Sequence, residues 1–139
     1  MNGKTILVAD DEAHILHVVS LKLKNAGYEV ITAGDGDEAF ETLVATPVDL
    51  VITDLSMPGM TGMELSRRIH NEPGRRDLPV ILLTAHGLAL EQVELNQAGI
   101  AACLSKPFSP REVLQKVQEL LEKAAADKAA AAATPAPVA

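Results

Sequence analysis

The chain has 139 residues, the usual size of one domain, and its 47% hydrophobic and 2% aromatic content calls for an aliphatic core. Nineteen acidic against twelve basic residues leave a net charge of −7, which disfavours a nucleic-acid backbone as partner. No apolar stretch is long enough to cross a bilayer, the run before the first acids is too short for a signal peptide, and the single Cys103 has no partner for an internal disulfide, so neither membrane nor nucleic acid is expected and a cytoplasmic location is.

Short apolar runs alternate with helical periodicity along the chain. TILVA (5–9) predicts a strand that stops at Asp10, Asp11 and Glu12, and HILHVVSLKLKNAG (14–27) predicts a helix stopped by Gly27. YEVITA (28–33) is the second strand, and GDGDEAFETLVAT (34–46) a helix entered through Gly and Asp. DLVITD (49–54) is the third strand and again ends on an acid; SMPGMTG then makes a loop in which Pro58 and Gly59 suit a turn, before a helix over 63–72. PVILLTA (79–85) predicts a fourth strand, 88–99 a helix stopped by Gly99, and IAACLS (100–105) a fifth strand. KPFSP leads into a helix over 111–123, with Ser109 as N-cap and Pro110 at the first helical position.

Strands this continuously apolar need helices on both faces, so the pattern predicts an α/β fold with a doubly wound five-stranded parallel sheet, (βα)5. In such a sheet the ligand site lies beyond the carboxyl ends of the strands, where strand order reverses. The polar residues at those ends are Asp10 and Asp11, Asp54, Thr84 and Lys106. Adjacent, partly desolvated carboxylates repel one another and call for a cation. Mg²⁺ suits an all-oxygen site, with Mn²⁺ as a substitute the residues do not distinguish. A cation, a hydroxyl and an ammonium around an ionised carboxylate make a phosphoryl site, with Asp54 as nucleophile. Taken alone, Asp10 also suits a helix N-cap and Thr84 an ordinary strand end; His14 and His17, three apart, suit a metal pair less well than a solvated or half-buried helix face, and His70 suits the surface.

Five segments together resemble the receiver domain of bacterial two-component response regulators: VADDE (8–12), DGDEAFE (35–41), PVDLVITDLSMPGMTGMEL (47–65), LPVILLTAH (78–86) and SKPF (105–108). The resemblance spans residues 4–123 and implies the flavodoxin-like strand order 2-1-3-4-5. It implies that Asp54 accepts a phosphoryl group from a histidine kinase or a histidine phosphotransfer protein. Asp10, Asp11, Asp54 and the backbone carbonyl of Ser56 would hold Mg²⁺, Thr84 and Lys106 would sense the phosphoryl group, and the Lys106–Pro107 peptide bond would be cis. Activity is then limited to Mg²⁺-dependent self-phosphorylation and slow autodephosphorylation.

Three departures from the family pattern bear on mechanism. Cys103 stands where receivers usually carry an aromatic residue, and it is too small to act as a rotating lever. Ser56 and His86 occupy the two positions that border the phosphoryl group and tune its loss. After residue 123 the sequence AAADKAAAAATPAPVA predicts a helix extension followed by a disordered end, so residues 1–123 are expected to be a receiver domain and 124–139 an Ala/Pro-rich tail. No output domain is expected, and signalling would pass through the surface of the fourth helix, fifth strand and fifth helix to a downstream protein, from a monomer or weak dimer. The alternative is a phosphate-independent receiver-like adaptor. A haloacid-dehalogenase-type phosphatase would want an acid at Ser56, and a flavodoxin a phosphate loop after the first strand.

Overall fold

A computed structural model describes residues 3–85 and 91–133. Strand β1 (Thr5–Ala9) is followed by α1 (Ala13–Asn25), β2 (Glu29–Ala33), α2 (Gly36–Ala45) and β3 (Leu50–Asp54). Then come α3 (Gly62–Asn71), β4 (Val80–Thr84), α4 (Gln92–Gln97), β5 (Ala102–Ser105) and α5 (Pro110–Ala133). All pairings are parallel and the order is β2-β1-β3-β4-β5. The chain therefore leaves β1 toward one side and returns to β3 on the other, and the reversal of strand order falls between the carboxyl ends of β1 and β3.

Alternate residues of each strand serve opposite layers, as the pleat requires. Ile6, Val8, Leu50, Ile52, Ile81 and Leu83 pack with Val19 and Leu23 of α1 and with Val113 and Val117 of α5. Leu7, Ala9, Val51, Val80 and Leu82 pack with Ala39 and Leu43 of α2, Leu65 and Ile69 of α3, and Leu95 of α4. Each fully buried Leu or Ile contributes about 1.5–3 kcal/mol of transfer free energy, which explains why the central strands carry almost no polar residue before their last positions.

Helix starts follow side-chain chemistry. The Asp35 carboxylate accepts from the Glu38 N–H at 2.8 Å, and Thr61 Oγ1 from the Glu64 N–H at 3.1 Å. At α5, Ser109 Oγ accepts from the Glu112 N–H at 3.1 Å while the Glu112 carboxylate accepts from the Ser109 N–H at 3.3 Å, a reciprocal cap with Pro110 opening the helix. Helix α5 continues past Lys123 to Ala133, about 15 Å at the rise of an α-helix, because alanine has the best helix propensity. Residues 134–139 and 86–90 lie outside the described residues, so His86, the start of the predicted fourth helix and the TPAPVA segment do too.

Candidate phosphoryl and metal site

The site forms where three parallel strands end. The Asp10 N–H donates to Ala33 O at 3.1 Å, extending the β1–β2 ladder by one residue and drawing the Asp10 side chain inside, where it is 0% exposed. One of its oxygens, Oδ1, accepts from the Glu12 N–H at 2.9 Å. The other, Oδ2, is buried with no hydrogen-bond partner among the described residues. Asp54, the last residue of β3, is also buried, while Asp11 is exposed. Oxygens from Asp10, Asp11 and Asp54 all lie within 4.8 Å of one another.

Lys106 enters from β5. Its N–H donates to Thr84 O at 2.7 Å, its bond to Pro107 is cis, and its Nζ stands 3.2 Å from Asp54 Oδ1, 3.3 Å from Glu12 Oε1 and 3.7 Å from Asp10 Oδ2. Burial pushes the Asp10 carboxyl up to about 6, and the carboxylates of Asp54 and Glu12 push the same way against the Glu12 N–H and Lys106. Burial also raises Asp54, and Lys106 only partly offsets it. For Lys106 burial acts downward, but Asp10 and Asp54 outweigh it and the ammonium is held above its ordinary range. One ammonium thus faces the carboxylates of Asp10, Glu12 and Asp54, with that of Asp11 beside Asp10 and Asp54. That surplus of negative charge, together with the orphaned Asp10 oxygen, fits a hard divalent cation bound by oxygens.

The remaining predicted residues fall around this cluster. Thr84 ends β4 beside Ser105 of β5, and its side chain is buried, with Oγ1 3.9 Å from Cys103 Sγ. Cys103 is exposed on the edge strand, contrary to the common role of a free cysteine as a small buried hydrophobe. Its alternation explains this: Ala102 and Leu104 face the α1/α5 layer, so Cys103 points the other way. Ser56 is exposed two residues beyond Asp54. The loop carrying it is pinned by the buried Met57 and Met60 and by the Gly62 N–H, which donates to Leu55 O at 2.9 Å. Gly62 is required by close approach, since a Cβ there would collide with the Asp54 carbonyl oxygen and stand 2.8 Å from Leu82 Cδ1.

Two residues had roles that the sequence reading missed. Glu12 belongs to the acidic run but its ion pair with Lys106 joins positions 94 apart, a contact no local pattern signals. His70, expected on the surface, is half-buried: Nε2 donates to Leu78 O at 2.7 Å, and Nδ1 faces Ser66 Oγ at 3.4 Å. His14 and His17 are exposed on α1.

Comparison with known proteins agrees with this fold. The chain is 37% identical over 123 residues to the phosphate regulon transcriptional regulatory protein PhoB of Pseudomonas aeruginosa, covering 88% of this chain and 54% of the relative. It is 39% identical over 123 residues to the transcriptional regulatory protein ResD of Bacillus subtilis, covering 88% and 50%. The chain therefore spans about half the length of the curated relatives it matches. Among solved structures, the chemotaxis response regulator CheY4 of Vibrio cholerae superposes with a TM-score of 0.80 at 33% identity, over 86% of this chain and 99% of that one. A putative response regulator from Chloroflexus aurantiacus gives a TM-score of 0.81 at 33% identity, over 87% and 99%. The profile described as response regulator receiver domain matches residues 6–118, and with the acid cluster, Thr84 and Lys106 gathered at the reversal of strand order, the chain belongs to the receiver domains of two-component response regulators.

Proposed function

We propose that Asp54 is the phosphoacceptor of a signalling switch and that its donor is the phosphohistidine of a kinase or phosphotransfer protein. The observation that carries this reading is the Asp54 carboxylate itself: nearly buried, 3.2 Å from an ammonium and within 4.8 Å of oxygens from Asp10 and Asp11. An Asp54 oxygen forms the new bond to phosphorus as the phosphorus–nitrogen bond breaks, the imidazole leaves with its electron pair, and the product is an acyl phosphate. Asp10, Asp11, Asp54 and the Ser56 carbonyl would hold Mg²⁺. When bound, the cation neutralises charge on the transferring oxygens. Lys106 then exchanges carboxylate partners for a phosphoryl oxygen, and the Thr84 hydroxyl takes another.

The switch follows from differential contact. Phosphate biases one of two conformations only through bonds it makes better in that one, and Thr84 and Lys106 provide them. Both sit at the ends of β4 and β5, so the surface of α4, β5 and α5 is the output face, read by a downstream protein. Slow loss of the phosphoryl group to water resets the switch, with Ser56, two residues beyond Asp54, bordering the path of attack. Residues 1–123 form the receiver unit, and 124–139 are the Ala/Pro-rich tail that follows it.

The test is the intact mass of the protein after incubation with acetyl phosphate and Mg²⁺, beside an Asp54→Ala variant and a chelated sample. One phosphoryl adduct that requires both Asp54 and the metal is expected. Absence of an adduct, together with absence of metal binding, would replace this reading with that of a phosphate-independent adaptor.

A further inference from the structure

A second concavity lies at the opposite end of the molecule, below the amino ends of β4 and β5. It encloses about 880 Å³ between the carboxyl ends of α3 and α4 and the side of α5. That volume lies within the range of sites that enclose small organic ligands, roughly 300–1,000 Å³. None of Asp10, Asp54, Thr84 or Lys106 borders it.

Its lining has a charge sign that the rest of the chain lacks. Arg67 of α3, Arg76 of the α3–β4 loop and Lys123 of α5 bring three cations to the cavity, against two carboxylates, Asp77 and Asp127. The protein as a whole carries −7. Among the described residues, none of these three cations has an ion pair or hydrogen bond, whereas neighbouring Arg75 is committed to the Leu43 carbonyl. The negative end of α3, about half a charge, opposes an anion here. It is screened, because the Glu72 N–H already caps the Ile69 carbonyl at 3.1 Å, and α4 is too short to carry a comparable field. The lining also includes the apolar Leu78, Pro79, Ala98 and Leu120 and the amide residues Asn96 and Gln97, of which Asn96 Oδ1 accepts from Gln92 Nε2 at 2.9 Å. Two guanidinium forks and an ammonium match phosphate oxygens, while an apolar lining that includes amides matches a flat, hydrogen-bonding ring.

We propose that this cavity binds a phosphorylated organic anion of nucleotide size, independently of the phosphoacceptor site. Ala98, Gly99 and Ala101 line it and lead directly from α4 into β5, so an occupant touches the segment that connects two elements of the output face. The length of α5 matters as well, since Lys123 and Ala124 lie beyond the region matched to the receiver family.

ATP is the probe, titrated calorimetrically into the unphosphorylated chain in Mg²⁺-free buffer at low ionic strength, with adenosine as the uncharged comparison. Saturable binding of ATP is expected, with adenosine at least tenfold weaker. Single reversals Arg67→Glu, Arg76→Glu and Lys123→Glu should each weaken ATP at least fivefold. Lys116→Glu, a reversal elsewhere on α5, should leave it within twofold. Amide shifts on binding should fall at 76–78 and 98–101. No heat at millimolar ATP, equal weakening by Lys116→Glu, or shifts confined to Asp10, Asp11 and Asp54 would each overturn the proposal. None of these outcomes depends on whether Asp54 accepts phosphate.

Discussion

Asp10 and Asp49 are both carboxylates at strand ends, and the sheet treats them in opposite ways. At the amino end of β1 the Asp49 side chain accepts the Thr5 N–H at 2.8 Å, tying the approach to β3 onto β1. At the carboxyl end Asp10 is more deeply buried, leaves one oxygen without a hydrogen bond and shares a single lysine with Asp54 and Glu12. The amino-end pole is stitched further by neutral bonds, with Ser66 Oγ donating to Ala98 O and His70 Nε2 to Leu78 O. The buried polar groups named at the amino end are thus paired with one another, whereas the carboxyl end is left with a surplus of negative charge that a divalent cation can relieve. Local frustration of this kind is expected where function, not stability, selects the residues.

The contrast is open to direct attack. The largest effect expected is from Asp54→Asn, which should remove the acetyl-phosphate adduct at least a hundredfold by intact mass while leaving the far-ultraviolet spectrum of the fold unchanged. Next is Gly62→Ala, whose new Cβ meets the Asp54 carbonyl and Leu82. It should cost about 3 kcal/mol in urea unfolding, at the upper end for overpacking.

Asp10 offers the sharpest version. Its carboxyl lies at about 6 in the folded chain against 3.8 ordinarily, so the folded state takes up this proton first as pH falls. The resulting stabilisation of the metal-free protein is fully present below 3.8 and is lost as pH rises through about 6. Over the whole interval it amounts to roughly 3 kcal/mol, and Asp54, also raised, acts in the same direction. Metal-free Asp10→Asn should therefore gain about 2 kcal/mol at pH 7.5 in urea unfolding and lose this part of the pH dependence. The same variant should bind Mg²⁺ at least tenfold more weakly, and wild-type affinity should fall below pH 6. Gain of stability with loss of metal affinity would show that the two poles answer to different demands; loss of both would show that Asp10 is structural like Asp49.

The smallest effect is expected at the amino-end hydrogen bonds. Ser66→Ala removes the donor to the buried Ala98 carbonyl and should cost about 1 kcal/mol. The yield of phosphorylated Asp54 should stay the same. A change in that yield would mean that the amino-end pole communicates with the site along α3 or α4.

The sequence alone determined the alternation of five strands and five helices, because short continuous apolar runs, helical periodicity, stop glycines such as Gly27 and Gly99 and the N-cap Ser109 act over a few positions. It also marked Asp10, Asp11, Asp54, Thr84 and Lys106, since a parallel sheet brings the carboxyl ends of its strands to one edge whatever the loops do. What only the tertiary structure decided lies in contacts that span the chain. Glu12 pairs with Lys106, His70 is drawn inward by Leu78 and Ser66, and Cys103 is turned outward by the pleat of an edge strand. Three cations from α3, its following loop and α5, unpaired among the described residues, meet at one cavity. Such placements depend on which helices end side by side, and a one-dimensional pattern of polarity carries no measure of that distance.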